Sequence, residues 1–296
     1  MRGGFIGIGN MGWPMAANLV KAGQAVTVFD ANPEVAQRFA AEHGAAAATD
    51  LAVLAEQEVV ITMLPTGQIV REVLTRAQDG AFLKALKRGT IIADMSSSDP
   101  VGTRELGPEI AATGAVLLDA PVSGAVPRAK AGTLAIMIGG EDAAAVERVR
   151  PVLSAMGDRL FETGPLGSGH AMKALNNYVA AAGYAAAAEA LLIGDRFGLD
   201  QAKMIDIMNI STGRNFNTEV VMKDHVVGRQ FATGFALGLL AKDVRIAADL
   251  GRAVGLDAPV SRLVSERWSL ARDRLGATRD NTEAILGWQD ALDEEA

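Results

Sequence analysis

In the first half of the chain, short apolar runs alternate with stretches in which apolar residues recur at helical spacing. The runs predict strands at residues 4–8, 25–29, 58–63, 90–94, 115–118 and 134–139. The stretches between them predict helices at 14–22, 33–42, 68–76, 101–112 and 142–156. This alternation indicates βαβ units, and therefore a parallel sheet with helices on both faces. No clear helix separates 115–118 from 134–139, so we expect the sheet to turn antiparallel there.

The pattern changes at a turn-rich junction, Gly164-Pro165-Leu166-Gly167-Ser168-Gly169. Beyond it only helical spacing is found, which predicts helices at about 170–196, 200–211, 218–226, 235–254, 260–275 and 281–292. The expected fold is an α/β Rossmann-type N-terminal domain followed by an all-α C-terminal domain. We expect the α/β domain to comprise residues 1–163 and the helical domain residues 164–296.

Composition narrows the possible partners. The formal charge is 28 − 35 = −7 and no block of basic residues occurs, so nucleic acid is not an expected partner. The chain has no cysteine and only three scattered histidines, so we expect no metal site. The N-terminus enters an apolar strand at once, without the features of a signal peptide, and a cytoplasmic location is the default expectation.

Residues 174–194 form a long stretch of small and apolar side chains. Asn176, Asn177 and Glu189 interrupt this stretch, and alanine favours helices much more than it favours membranes. We therefore expect no membrane span here. A buried helix at a domain junction or subunit interface fits the pattern better. The abundance of such apolar helices predicts a homodimer or homotetramer.

The first predicted strand runs directly into Gly7-Ile8-Gly9-Asn10-Met11-Gly12, which opens a helix. In this context the G-x-G-x-x-G spacing is a dinucleotide fingerprint. The first glycine permits a tight turn, the second lets the backbone approach a pyrophosphate, and the third lets helix and strand pack closely. The helix N-terminus would then offer N–H groups to the phosphates. The alternative is a glycine-rich turn without a ligand.

Asp30 ends the second predicted strand, 18 residues after Gly12. A carboxylate at this point can accept hydrogen bonds from both ribose hydroxyls and would repel a 2′-phosphate. Because Ala31-Asn32-Pro33 follows, without an arginine, the sequence favours NAD over NADP. The alternative is that Asp30 only caps the helix that begins near Pro33.

Two further segments carry candidate chemistry. Asp119-Ala120-Pro121-Val122-Ser123-Gly124 ends a predicted strand, where open α/β sheets bind ligands, and its Ser hydroxyl and Gly N–H suit a carboxylate. Lys173 and Asn177 lie four residues apart on one face of an alanine-rich helix. Burial would lower the pKa of such an amine toward neutrality, as a proton shuttle requires. The alternative has Lys173 reaching solvent and Asn177 making a helix–helix hydrogen bond.

Several ordered motifs together resemble the β-hydroxyacid dehydrogenase family, whose members include 3-hydroxyisobutyrate dehydrogenase and tartronate semialdehyde reductase. The likeness extends over nearly the whole chain. It rests on GIGNMGWPMAANLVKAG at the N-terminus, ITMLP at 61–65, DMSSSDP at 94–100, DAPVSG at 119–124, GSGHAMKALNN at 167–177 and LLAKDVRIA at 239–247. It implies a reversible NAD-dependent oxidation of a small β-hydroxy acid to its semialdehyde.

The resemblance also implies roles for individual residues. Lys173 matches the catalytic lysine. The matches to substrate-binding positions are Ser123, Gly124, Asn177 and Lys242. The matches to cofactor-binding positions are Gly7, Gly9, Asn10, Met11, Gly12, Asp30, Leu64, Pro65, Ser96 and Lys242. Asp243 lies beside the last of these.

The chain departs from the family pattern at two positions. Ala125 stands where the family usually has a second glycine, which puts the size of the substrate in question. Trp13 occupies a variable fingerprint position. The segment 211–217 is polar and either contacts the distal end of a substrate or forms a capped turn with Arg214 facing solvent.

Four alternatives remain open. A tartronate semialdehyde reductase would use the same residues on a different substrate. Imine reductases share the architecture but generally lack the lysine, and a 6-phosphogluconate-type enzyme would need a set of phosphate-binding arginines. A catalytically silent NAD(H)-binding protein is a different class, against which the pairing of Lys173 with Asn177 argues.

Overall fold

The structure is a computed structural model that describes residues 2–294, with side chains described through residue 289. The ends of both predicted domains, residues 1, 295 and 296, lie outside the described residues. The chain divides into two compact units, Met1–Lys173 and Ala174–Ala296.

The first unit is built on a nine-stranded sheet in the order β3-β2-β1-β4-β5-β6-β8-β7, with β9 beside β8. The strands are β1 Arg2–Ile6, β2 Ala25–Phe29, β3 Ala46–Ala47, β4 Val59–Thr62, β5 Ile91–Asp94, β6 Val116–Asp119, β7 Val122–Ser123, β8 Leu134–Gly139 and β9 Gly157–Gly164. The first six strands pair in parallel. β8 pairs antiparallel with β6 and β7, which confirms the expected change of direction.

Helices cover both faces of this sheet. They are α1 Gly12–Lys21, α2 Pro33–His43, α3 Leu51–Ala55, α4 Gly67–Thr75, α5 Ala77–Ala85, α6 Pro100–Ala111, α7 Ala125–Ala131 and α8 Ala143–Ser154. Neighbouring residues of one strand enter different cores: Phe5 packs with residues of α1, α2 and α8, and Ile6 with residues of α3, α4 and α6. Successive side chains of a strand point to opposite faces of the sheet. Because helices cover both faces, every residue of β4 and β5 is buried.

In the residues described, the regular elements of the second unit are all helices. Helix α9, Ser168–Phe197, begins in the first unit and continues into the second. It is followed by α10 Gln201–Asn209, a π-helix Asn217–Val227, α11 Leu237–Ala253, α12 Pro259–Leu275, a short 3-10 helix Asn281–Glu283 and α13 Ala284–Glu294. The described part of the chain contains no helix with the length and apolarity needed to cross a membrane.

Three aromatic side chains form the centre of the helical core. Tyr184, Trp268 and Trp288 are buried, with ring centroids 5.4 to 5.9 Å apart. Each polar edge donates to a backbone carbonyl, including Tyr184 Oη to Thr282 O at 2.6 Å. Burial raises the pKa of Tyr184, so its hydroxyl remains a donor. The core is therefore apolar without leaving these donors unsatisfied.

The structure contains elements that the pattern did not predict: β3, β7, β9, α3, α5 and α7. Strand β9 was missed because it is largely exposed and carries charges instead of an apolar alternation. The helix predicted at 218–226 is present, but it is wound as a π-helix over Asn217–Val227.

Candidate active site

The fingerprint turn joins β1 to α1, and its three glycines meet three different constraints. Gly7 has φ of 99°, and a Cβ there would lie 2.4 Å from Met63 O. A Cβ on Gly12 would lie 1.9 Å from Gly7 O, so only glycine allows the helix to start this close to the strand. Around Gly9 nothing lies within 4 Å. Gly9 thus faces open space, and its backbone is the part of the fingerprint that a pyrophosphate would approach.

The N-terminus of α1 leaves backbone N–H groups available to an anion. Met11 at the N-cap provides no side-chain cap for the first turn. The N-terminal N–H groups of a helix have no partners within the helix, and its dipole is positive there. A pyrophosphate above Gly9 would meet these groups, so the residues present fit a dinucleotide.

Asp30 is joined to this turn at the end of β2. Its Oδ2 accepts from Ile8 N at 2.8 Å, and its Oδ1 accepts from Asn32 N at 2.9 Å. The side chain that caps α2 belongs to Asn32, which accepts from Glu34 N. The alternative that Asp30 only caps this helix is therefore wrong. Its carboxylate is held beside the fingerprint turn, where a ribose is expected.

Ser96 and the loop after β4 lie together. Leu64 N donates to Ser96 Oγ over 2.9 Å, and Ser96 is fully buried. Pro65 and Asn10 are exposed. The serine hydroxyl thus holds the backbone of the loop that was predicted to lie beside the cofactor.

Ser123 ends β7, and Gly124 forms the turn that joins it to α7. Ser123 pairs in register with Ala135 of β8, and Gly124 has φ of 137°. A Cβ on Gly124 would lie 2.7 Å from the side chain of Arg128, so a side chain at Gly124 would displace that arginine. Ala125 has φ of 54°, in the left-handed region that favours glycine. This conformation gives a physical reason for a second glycine in the family pattern.

Two carboxylates lie on adjacent parallel strands of the first unit. Asp94 ends β5 and Asp119 ends β6, in direct register, and both are buried. Asp94 accepts from Thr62 Oγ1 and Ser98 Oγ, each at 2.8 Å, and from Ser96 N at 3.0 Å. These contacts provide the hydrogen bonds that buried charges require.

Asp119 binds the start of α9. Its Oδ1 accepts from Gly167 N and its Oδ2 from His170 N, each at 2.7 Å. The buried His170 ring lies near both carboxylates, with Nε2 3.6 Å from Asp94 Oδ2 and Nδ1 3.8 Å from Asp119 Oδ2. His170 Nδ1 is 2.9 Å from Thr103 Oγ1. The same hydroxyl donates to Asp99 O at 3.0 Å.

Lys173 lies one turn beyond His170 on α9 and is partly exposed. Asn177, a further turn along, is buried, and its Nδ2 donates to Asp243 Oδ2 on α11 at 2.7 Å. Lys242 Nζ lies 3.3 Å from Asp243 Oδ1. Asp243 therefore links Asn177 and Lys242 within the second unit. An amide nitrogen carries two hydrogens, and the bond to Asp243 uses one of them.

The polar segment 211–217 is a capped turn. Asn215 Oδ1 accepts from Asn217 N and Thr218 N at the start of the π-helix. Arg214 is exposed and pairs with Glu219 at 3.5 Å. These contacts support the structural interpretation of this segment and give no reason to assign it to substrate.

Comparisons with known proteins agree with this geometry. Residues 2–164 match the family model described as the NAD binding domain of 6-phosphogluconate dehydrogenase. Residues 167–287 match the model described as NAD-binding of NADP-dependent 3-hydroxyisobutyrate dehydrogenase. The chain belongs to the β-hydroxyacid dehydrogenase family. It therefore carries the dinucleotide-binding domains of an oxidoreductase.

Similar proteins include several dehydrogenases of hydroxy acids. The 2-(hydroxymethyl)glutarate dehydrogenase of Eubacterium barkeri is 35% identical, over 96% of this chain and 93% of its own length. The 3-hydroxyisobutyrate dehydrogenase of Pseudomonas aeruginosa is 38% identical, over 90% of each chain. The solved structure of the Mycobacterium tuberculosis 3-hydroxyisobutyrate dehydrogenase with L-serine has a TM-score of 0.87 at 35% identity, covering 97% of this chain and 99% of that one. This β-hydroxyacid dehydrogenase accordingly acts on the CH–OH group of its donor.

Sequence reasoning missed a set of residues in this β-hydroxyacid dehydrogenase. Asp94, Asp119 and His170 form a buried network, and Asp243 orients Asn177. One signal was available: Asp94 and Asp119 each end an apolar strand, where side chains of adjacent parallel strands meet. The histidine was considered only as a metal ligand. In the described residues, no group of three His, Asp or Glu side chains could hold a metal ion.

Proposed function

We propose that this protein catalyses the reversible NAD-dependent oxidation of a small β-hydroxy acid of the 3-hydroxyisobutyrate type to its semialdehyde. One observation carries the proposal. Asp119 ends the strand that leads to Ser123 and Gly124, and the same carboxylate holds the start of the helix that bears Lys173. A carboxylate-binding turn and an acid/base candidate are thus tied to one point of the first unit.

A bound nicotinamide dinucleotide supplies the hydride acceptor for this reaction. Gly7, Gly9, Gly12 and the N–H groups of Asn10 and Met11 would hold its pyrophosphate, and Asp30 its ribose. Leu64, Pro65, Ser96 and Lys242 are proposed as further cofactor contacts. We propose NAD rather than NADP because the Asp30 carboxylate would repel a 2′-phosphate.

The substrate carboxylate is proposed to accept hydrogen bonds from the Ser123 hydroxyl and Gly124 N–H. These two donors lie on a strand end and a turn fixed by pairing with β8, so they are oriented before the substrate arrives. Preorganised donors hold the reacting carbon in place without reorganisation during the reaction.

Lys173 is proposed to be the acid/base. Its neutral amine takes the proton of the substrate hydroxyl as the hydride leaves the same carbon, which gives an aldehyde and an ammonium. In the reverse direction the ammonium returns this proton to the oxygen of the aldehyde as the carbon is reduced. Asn177 and Lys242 are proposed, from their motif positions, as additional substrate-binding residues, with Asp243 orienting Asn177.

The same proposal assigns roles to larger parts of the chain. Residues 1–163 would bind the dinucleotide, and residues 164–296 would contribute substrate contacts and the subunit interface. We propose a cytoplasmic homodimer or homotetramer, and apolar side chains exposed on α9 and α10 support self-association.

The test is Lys173→Ala, assayed in the oxidative direction with NAD and NADP in parallel against 3-hydroxyisobutyrate, 2-(hydroxymethyl)glutarate and L-serine. Tartronate semialdehyde is assayed in the reductive direction with NADH and NADPH. General acid–base catalysis contributes about 10²- to 10⁴-fold, so kcat should fall by that factor. The affinity for NADH is measured by fluorescence titration. It should stay within about twofold of the wild-type value, because a lost cofactor contact of about 1.4 kcal/mol would weaken it tenfold.

Lys203→Ala is the matched control, because Lys203 is an exposed lysine on α10. It should leave kcat unchanged. A Lys173→Ala protein with near-wild-type turnover would exclude this lysine as the acid/base.

A further inference from the structure

We propose that Asp119, together with His170, is a positioning residue that sets the place of Lys173 relative to the Ser123–Gly124 turn. The inference rests on the proposed function of Lys173. Neither Asp119 nor His170 is assigned any contact with substrate or cofactor. Their effect is exerted through the start of α9.

The first step is the way α9 begins. The first N–H groups of a helix have no partners within it. Here one carboxylate accepts from two of them, Gly167 N and His170 N, each at 2.7 Å. The cap is thus provided by a strand 48 residues earlier in the chain, not by a neighbouring side chain. It fixes the helix start to the end of β6.

The second step is the space around this carboxylate. A Cβ on Gly139 would lie 2.3 Å from Asp119 Oδ1. A Cβ on Gly169 would lie 2.9 Å from Asp119 Oδ2 and 2.3 Å from Met137 O. Both glycines are therefore required for Asp119 to reach the helix. This requirement gives a physical reason for glycine at position 169, two residues after Gly167.

The third step is a second anchor on the same helical turn. The His170 ring is hydrogen-bonded to Thr103 Oγ1 on α6 at 2.9 Å and lies within 4 Å of carboxylate oxygens at the ends of β5 and β6. Its own backbone N–H is bound by Asp119. The residue is therefore fixed by both backbone and ring, which leaves the first turn of α9 little freedom to shift or rotate.

The final step leads to the amine. Lys173 is three residues after His170, so the two share a helix face and their Cα atoms differ by one turn. Asp119, which holds the start of α9, also lies only four residues before Ser123 in the chain. A displacement of the helix start would be transmitted to Lys173 directly. A misplacement of about 1 Å can cost about 10²-fold in rate.

The experiment compares Asp119→Asn with the wild type. The carboxamide replaces one acceptor oxygen with an NH2 group that faces a backbone N–H, so the start of α9 must move. We expect kcat to fall by about 10- to 100-fold. The Kd for NADH should stay at the wild-type value, since the fingerprint turn is untouched, and the pH profile of kcat should change.

A second readout does not depend on turnover. Lysines are dimethylated with ¹³C-formaldehyde, the Lys173 signal is assigned by its loss in Lys173→Arg, and its pH titration is followed by NMR. We expect the midpoint to move in Asp119→Asn. If the wild type oxidises no hydroxy acid, the proposed function fails, and this titration still decides whether Asp119 positions the amine.

The matched control is Asp142→Asn, which makes the same change at the N-cap of α8, where Asp142 accepts from Ala145 N. It should change neither kcat nor the titration. If Asp119→Asn does not fold, Thr103→Val and Gly139→Ala perturb the network from α6 and β8 and should give the same kinetic pattern. Folded variants with wild-type kcat and an unchanged Lys173 midpoint would overturn the proposal.

Discussion

Ala125 adopts a backbone conformation that residues with a side chain usually avoid. Its φ of 54° lies in the left-handed region, one residue after the turn that is proposed to bind the substrate carboxylate. This conformation costs a non-glycine residue about 1–2 kcal/mol. The sequence comparison with the family raised a question of pocket size, but the structure adds backbone strain at an exposed position.

We therefore expect Ala125→Gly to stabilise the protein. Relief of the left-handed strain should exceed the extra chain entropy of glycine, about 0.5–1 kcal/mol, and leave a net gain of about 0.5–1 kcal/mol. Urea unfolding measures this difference. Ala131→Gly is the control: Ala131 is exposed at the end of α7, and the same change there should destabilise the protein by up to about 1 kcal/mol. A loss of stability in both variants would contradict the strain argument.

Asp30 gives a second prediction for a single residue. Asp30→Asn removes the charge but keeps an oxygen that can accept from Ile8 N. The ratio of kcat/KM for NADP to that for NAD should rise by about tenfold, since each 1.4 kcal/mol of lost repulsion is worth that factor. Steady-state kinetics with both cofactors measure the ratio. Asp50→Asn, at the exposed N-cap of α3, should leave it unchanged. An unchanged ratio in Asp30→Asn would remove the basis for proposing NAD.

At the scale of elements, Asp280 joins the segment before α11 to the start of the short 3-10 helix. It accepts from Thr233 Oγ1 and Gly234 N, and it caps the short 3-10 helix through Thr282 N. Burial alone would raise the pKa of Asp280, but the hydrogen bonds from Thr282, Gly234 and Thr233 outweigh burial and lower it. The segment leads into the helix that carries Lys242 and Asp243.

This arrangement predicts how stability depends on pH. A lowered pKa in the folded state means that the carboxylate stabilises the fold above its ordinary pKa, about 4, and that this contribution is lost as pH falls toward the folded value. Asp280→Asn retains a capping side chain but cannot titrate. It should be less stable than the wild type at pH 7, and the difference should shrink below about pH 4. Urea unfolding at several pH values tests this, and a difference independent of pH would contradict it.

The type of most elements was predictable from the sequence. Buried strands give short apolar runs, and helices that pack on a core repeat apolar residues every three or four positions. The strands of the parallel sheet and the six segments beyond residue 164 appear close to their predicted positions. β7 and β3 have only two residues each, too short for a period to show. The π-helix was not predicted, because an extra residue per turn changes the backbone bonds without a distinctive apolar pattern.

At the scale of the whole molecule, some site residues are neighbours in the sequence, and others come together only when the chain folds. The fingerprint glycines act within one turn, so their spacing alone predicted the tight turn at Gly7 and the close packing at Gly12. The Asp119–His170 contact joins residues 51 positions apart, and Asn177–Asp243 joins residues 66 apart. Such pairs depend on strand order and helix packing. In a single sequence, the only sign of such residues is a polar side chain within or at the end of an otherwise apolar strand or helix.

The second unit exposes several large apolar side chains on its helices. On α9, Ile193 and Phe197 are four residues apart and 64% and 83% exposed. Ile207 on α10 is 60% exposed, and Ile210, which directly follows α10, is 86% exposed. Ile193 and Phe197 share one face of α9, since residues four apart are neighbours on a helix, and Ile207 and Ile210 add apolar faces at the end of α10. These faces support the proposed homodimer or homotetramer.

Charged substitutions on these faces should separate the subunits. Phe197→Glu combined with Ile210→Glu would require two carboxylates to be desolvated at an apolar interface, which costs several kcal/mol for each unpaired charge. Light scattering coupled to gel filtration should show a monomer for this variant and a dimer or tetramer for the wild type. Phe161→Glu is the control, because Phe161 is also exposed but lies on β9 of the first unit. A variant that keeps the wild-type mass would place the interface elsewhere, and a monomeric wild type would exclude self-association through these faces.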